Sequence, residues 1–205
     1  PRERFCHMTY LGQSLKRAED PRLITGQGSF VDDINLPGML HVAVLRSPHA
    51  HARVKSIDTA AASSAPGVVA VLTAEDIEGV LQHVPTGISV YEGKFDHLEA
   101  PEHPVLARGK VCYVGQPVAM VVAQDPNLAR DALELIQTDY EPLAPILDPL
   151  EIVNKDTIPI HDEVGTNLGL RVRHQGGDLD AAFGQADRVI RQSYHLQRLA
   201  PAPLE

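Results

Sequence analysis

The sequence predicts a mixed α/β fold of the α+β class, built from two strand-strand-helix-strand units. Two stretches and the composition carry this expectation. Residues 108–123 (Arg-Gly-Lys-Val-Cys-Tyr-Val-Gly-Gln-Pro-Val-Ala-Met-Val-Val-Ala) hold two short apolar runs, 111–114 and 118–123. They are hinged at Gly115-Gln116-Pro117, where Gly opens backbone angles closed to other residues and Pro presets its own, so the pair forms a hairpin or a sharp corner. A helix follows, because Asp125 can cap it and Leu128, Ala129, Ala132, Leu133, Leu135 and Ile136 recur at helical spacing. The same strand, strand, helix, strand order occurs first between Met39 and Leu72 and again between Lys110 and Tyr140, which predicts a mixed sheet with one helix per unit. With 205 residues, 43% hydrophobic and 22% charged, the chain has ordinary globular composition and length for a domain with its own core plus an appendage.

In chain order, residues 1–24 are polar and irregular and read as an extended arm, since Pro21 biases Asp20 away from helix. Thr25-Gly26-Gln27-Gly28-Ser29-Phe30 is a turn and not a phosphate loop: no strand precedes it, and neither a Gly-Lys-Ser/Thr nor a third glycine at dinucleotide spacing follows. Residues 39–46 are nearly continuous in apolar character, which predicts a strand buried on both faces. His49 and His51 lie two apart, as a two-histidine metal claw would require, but no further ligand set declares itself, so local hydrogen bonding is the expectation. Strands at 54–57 and 68–72 flank a short alanine-rich helix capped by Asp58 and stopped by Pro66-Gly67. Residues 73–77 read as one capped helical turn, and 79–104 as a long loop serving contacts or substrate access, with Ile88, Val90, Tyr91 and Phe95 packing part of it. After the central pair and its helix come a strand at 136–140 and an extended, proline-bearing edge at 141–148. A linker is expected at 151–164, a capped short helix at 176–183, and an alternating strand without an evident partner at 188–198.

Charge and cysteine usage narrow the function classes. A formal net charge of −9 with scattered basic residues argues against a nucleic-acid surface. No apolar run reaches membrane-spanning length, and no signal segment opens the chain, which points to a cytoplasmic location. Pro1 in place of Met points to a missing start. Cys6 and Cys112, so far apart, make neither a disulfide framework nor a Cys-x-x-Cys site.

The run Gly12-Gln13-Ser14-Leu15-Lys16-Arg17-Ala18-Glu19-Asp20-Pro21-Arg22-Leu23-Ile24-Thr25-Gly26, then Asp32-Asp33-Ile34-Asn35-Leu36-Pro37-Gly38-Met39-Leu40, then Arg46-Ser47-Pro48-His49-Ala50-His51-Ala52, resembles the amino-terminal part of the large subunit of molybdenum hydroxylases. This is the xanthine dehydrogenase, aldehyde oxidase and aerobic carbon monoxide dehydrogenase family. Pro66-Gly67-Val68, Tyr113-Val114-Gly115-Gln116-Pro117-Val118-Ala119, Asp139-Tyr140-Glu141-Pro142-Leu143 and Gly177-Asp178 through Ala186-Asp187 continue the resemblance in the right order.

The resemblance implies an arm at 1–24, an α/β hammerhead domain at 25–150, a linker at 151–164 and, at 165–205, the truncated beginning of the first molybdopterin-binding domain. It implies a molybdenum–molybdopterin cytosine dinucleotide cofactor in the full enzyme, with iron–sulfur clusters and FAD on partner subunits or domains and an oligomeric assembly. The chain ends before the family's glycine-rich cofactor loops and its catalytic glutamate, so no catalytic, cofactor-binding or metal residue is assigned in it. The expectation is therefore an inactive structural portion of an oxidoreductase acting on an aldehyde, carbon monoxide or an N-heterocycle. Two other classes stay open on the residues alone: a stand-alone interaction or adaptor module, and a biotinyl or lipoyl carrier. The carrier is the weaker, because Lys110 starts a strand and does not sit at a hairpin tip. An alternating strand at 188–198 without its sheet is expected to be poorly packed or paired between chains.

Overall fold

The computed structural model describes residues 12–85, 97–154, 157–172, 174, 176–197 and 199. Gly38–Gln192 forms one compact unit, and the flanking segments Pro1–Pro37 and Ser193–Glu205 form a second. In the second, helix α1 (Asp20–Ile24) carries Pro21 in its first turn, and a 3-10 turn follows at Val31–Asp33. Among the described residues of the polar arm, helix α1 stands where extended chain was expected, with Arg17 Nε donating to Asp20 Oδ1 at 3.0 Å.

The first unit contains the two predicted repeats, but their strands are exchanged. β1 (His41–Arg46), β2 (Ala52–Asp58), helix α2 (Ala60–Ser63) and β3 (Val68–Leu72) make the first repeat; a short β4 (His97–Leu98) lies between the repeats. β5 (Lys110–Val111), β6 (Pro117–Ala123), helix α3 (Pro126–Leu133) and β7 (Gln137–Pro142) make the second. One three-stranded sheet runs β1-β6-β3 and the other β5-β2-β7, so the middle strand of each repeat is inserted between the outer strands of the other. All these pairings are antiparallel, with Val44 opposite Met120 and Val54 opposite Tyr140. The expected single mixed sheet is therefore replaced by two antiparallel ones.

The hinge in the sequence is a corner and not a hairpin, because β5 and β6 belong to different sheets. Of the predicted strand at 111–114 only Val111 joins a ladder, together with Lys110 before it. The next backbone groups are captured elsewhere: the Cys112 amide donates to Gln116 Oε1 at 2.7 Å and the Gly115 amide to the Ser47 carbonyl at 2.8 Å. Gly115 sits at φ 86°, in the left-handed region that permits this reversal.

Helix α3 forms as expected, with Asp125 Oδ1 accepting from the Asn127 amide at 2.8 Å. It ends at Leu133, because the Leu135 and Ile136 amides turn back to Ala132 and Leu133 and tighten the last turn. Its Ala129 and Ala132 pack on Ala119, Val121 and Ala123 of β6 in one core cluster; Ala52, Ala107, Val111 and Val118 form a second. β1 departs from its predicted double burial, since Val42 is 58% exposed.

Residues 73–77 form a non-helical turn, closed by the Thr73 amide and hydroxyl donating to Asp76 Oδ2 at 2.7 and 2.8 Å. Those two bonds, the backbone one foremost, hold the Asp76 carboxyl below its ordinary pKa. Beyond Pro142 the predicted extended edge leaves the ladder, and the expected linker holds helix α4 (Pro149–Asn154). β8 (Leu170–Arg171) pairs with β4, and helix α5 (Leu179–Gly184) is capped by Asp178 accepting from the Ala181 amide at 2.9 Å. The predicted strand at 188–198 forms no ladder among the described residues, and Ile190 and Leu196 are exposed. Period-2 alternation specifies a strand only where a sheet edge receives it. The apolar residues expected to pack the long loop, Ile88, Val90, Tyr91 and Phe95, lie outside the described residues.

Replacing the cap in Asp125→Ala is expected to cost about 1 kcal/mol of unfolding free energy, read as a shift in urea midpoint at constant slope.

Candidate functional site

The corner between the two sheets forms one wall of a cavity of about 490 Å³. Arg108, Lys110, Cys112, Tyr113 and Gln116 line it from the corner, Pro101 to Pro104 and His83 from a second side, and His161 and Glu163 from a third. Sequence reasoning picked out none of these as a site. The signals were the Gly-Gln-Pro hinge, whose Gln116 is 5% exposed, and the 79–104 loop read as serving contacts or substrate access, which supplies His83 and Pro101 to Pro104.

The ionic groups around this cavity are paired within the chain. Lys110 Nζ meets Asp162 Oδ2 at 2.7 Å, and the lysine side chain is only 15% exposed. Arg108 meets Glu78 at 3.2 Å, and His161 Nδ1 lies 3.4 Å from Glu163. His83 Nδ1 sits 3.1 Å from Glu102 Oε2 but lacks the alignment of a hydrogen bond. Burying a lysine stem requires such a partner, since an unpaired buried charge is costly. The Lys110 hydrogen bond, then its charge, and then Arg53 and His51 hold the Asp162 carboxyl below the ordinary carboxylate range. Lys110 is thus the opposite of a carrier lysine presented to solvent.

Cys112 is a free thiol whose Sγ reaches the Ile160 carbonyl at 3.8 Å. Burial pushes its pKa up, against the lowering effect of Lys110. A protonated, half-buried thiol is a weak nucleophile. The two histidines singled out in the sequence diverge. His49 donates its backbone amide to Ser47 Oγ at 3.0 Å and sets its ring against Tyr140, with centroids 4.9 Å apart. His51 is buried, with Nδ1 2.9 Å from the Ala144 carbonyl. Bonding that carbonyl requires the proton on Nδ1, which leaves Nε2 of the neutral ring as a buried acceptor without a hydrogen-bond partner. No group of three or more His, Cys, Asp or Glu able to hold a metal occurs among the described residues. The arrangement suits packing and wall-forming, and lacks an activated nucleophile or a base held on one.

Residues 25–144 match the family model described as aldehyde oxidase and xanthine dehydrogenase, a/b hammerhead domain. The chain belongs to this family. It is 41% identical over 96% of its length to the 6-hydroxypseudooxynicotine dehydrogenase complex subunit gamma of Paenarthrobacter nicotinovorans, covering 24% of that protein. It is 39% identical over 99% of its length to the carbon monoxide dehydrogenase large chain of Afipia carboxidovorans, covering 26% of it. Among solved structures, quinoline 2-oxidoreductase from Pseudomonas putida 86 superposes with a TM-score of 0.77 at 34% identity, over 90% of this chain and 23% of that one. The hammerhead chain therefore spans about a quarter of the length of the relatives it matches. The two exchanged repeats fall within residues matched to the hammerhead model.

In a Cys6→Ser background, Cys112 is expected to react with iodoacetamide at pH 8 more slowly than a free cysteine peptide. Its rate-versus-pH midpoint should lie above the ordinary thiol value and rise further in Lys110→Met. For Asp162 the sign is the reverse: its folded pKa is depressed, so the ion pair's contribution is present above the unfolded carboxylate pKa and lost as pH falls through the folded value. An NMR titration of the carboxyl carbon should show a midpoint below the ordinary aspartate value, returning toward it in Lys110→Met.

Proposed function

We propose that this chain is the amino-terminal, structural portion of a molybdenum-hydroxylase large subunit, within an oxidoreductase that acts on an aldehyde, carbon monoxide or an N-heterocycle. The observation that carries this reading is the alignment of 96% of the chain with 24% of a subunit of a dehydrogenase complex. Relatives in this family are molybdenum-containing oxidoreductases. The domain plan follows the sequence expectation, with an arm at 1–24, the hammerhead at 25–150, a connecting segment at 151–164, and from 165 the opening of a cofactor-binding domain.

Among the described residues, those lining the cavity do not fit the pterin cofactor. A phosphate-bearing group needs free cations or a cradle of backbone amides, whereas Arg108 and Lys110 at the cavity are already engaged by Glu78 and Asp162. We therefore assign the molybdenum–molybdopterin cytosine dinucleotide to polypeptide outside this portion, and the iron–sulfur clusters and FAD to partner subunits or domains of an oligomeric, cytoplasmic enzyme. The hard redox chemistry belongs to the cofactor, and the hammerhead supplies a packed shoulder. The loop at 79–104 would form part of the route by which substrate reaches it.

The complete assembly, purified from its native host, is expected to contain molybdenum by elemental mass spectrometry and to oxidise one member of a panel of aldehydes, carbon monoxide and N-heterocycles. The isolated 205-residue polypeptide should bind no pterin and turn over none of them. Turnover or stoichiometric pterin binding by the isolated polypeptide would sink the proposal.

A further inference from the structure

Residues 157–171, half of which the sequence marks as plain linker, are tied to the hammerhead at several points. Asn167 works as a clamp within the segment: its Oδ1 accepts from the Ile160 amide at 2.8 Å, and its Nδ2 donates to Thr157 Oγ1 at 2.8 Å and to the Ile158 carbonyl at 3.0 Å. The loop so closed is latched to the corner by Lys110 and Asp162 at 2.7 Å, beside the Cys112 contact to the Ile160 carbonyl. Its far end forms β8, which pairs with β4 so that Leu98 faces Leu170, and the Glu99 amide donates to the Gly169 carbonyl at 2.8 Å. β4 leads into Pro101–Pro104, the second wall of the 490 Å³ cavity, while His161 and Glu163 of the segment itself form the third. The base of that long loop is also tied by the Val84 amide donating to the His103 carbonyl at 2.8 Å, beside the His83–Glu102 contact.

We propose that residues 157–171 are a strap, clamped by Asn167 and latched by the Lys110–Asp162 pair, that holds the 97–104 wall in place and so sets the shape of the cavity. The strap couples two segments far apart in sequence through one largely buried lysine side chain, the Asn167 amide and the short β4–β8 pairing. None of its apolar residues is fully buried: Ile158 and Leu170 are 80% and 47% exposed, and Pro159, Ile160, Val164 and Leu168 are partly exposed. Its order therefore depends on these polar links, and such segments open at less than the global unfolding cost.

The test is hydrogen–deuterium exchange on the native full-length protein in the assembly in which it is purified, comparing wild type with Asn167→Ala and Lys110→Met. Each variant is expected to speed exchange about tenfold in peptides covering 157–171 and 97–104 together, with 117–133 unchanged. Faster exchange in 157–171 with 97–104 unmoved would overturn the coupling. Equal acceleration of 117–133 in both variants would show the segment to be core and not a strap, and no change in either variant would remove the latch. The readout needs neither cofactor nor substrate, so its outcome stands apart from that of the functional reading.

Discussion

β6 is shared by two cores, and the rest of the hammerhead follows from that sharing. Ala119, Val121 and Ala123 face helix α3, while Val118 belongs to the cluster with Ala52, Ala107 and Val111. With Ala119, Val121 and Ala123 fully buried on one face and Val118 buried but Met120 and Val122 only partly so on the other, a slip of the whole strand by one residue would exchange two unlike faces. Against β3 the extra residue is Val69, on the outer strand, whereas against β1 it is Val118 of β6 itself, the residue that enters the second core.

The strand exchange makes the two repeats interdependent. Neither β1-β6-β3 nor β5-β2-β7 can form from one repeat alone, because each takes its central strand from the other. Such non-local pairing closes long loops before any ladder rewards it. What permits the exchange locally is the change of direction at Gly115, where the chain leaves one sheet and enters the other over five residues, 112–116, held by the Cys112 amide on Gln116 Oε1, the Gly115 amide on the Ser47 carbonyl and the Ser47 amide on the Gln116 carbonyl.

That same corner decides the character of the cavity beside it. Lys110 is drawn inward by the sheet it starts, so it needs Asp162, and Asp162 brings residues 157–168 with it. The charges that give the cavity its polar lining are thereby consumed in holding the walls together. In the role we propose, this portion is a scaffold for cofactor chemistry carried elsewhere, and the pairing of its charges suits that role.

Local signals in the sequence determined helix α3 with its Asp125 cap, the strands expected at 39–46, 54–57, 68–72 and 118–123, and the break at Gly115-Gln116-Pro117, because periodicity, capping and backbone restriction act over a few residues. The family too was legible, from motifs spread in order along the chain. Only the tertiary structure decided which strands pair, that the corner joins two sheets, that residues 112–114 leave the ladder and that 188–197 join none, since strand pairing depends on partners distant in sequence. The strap was hidden for the same reason: Asn167 and Lys110 are unremarkable residues until folding places their partners, Ile160 and Asp162, within hydrogen-bond reach.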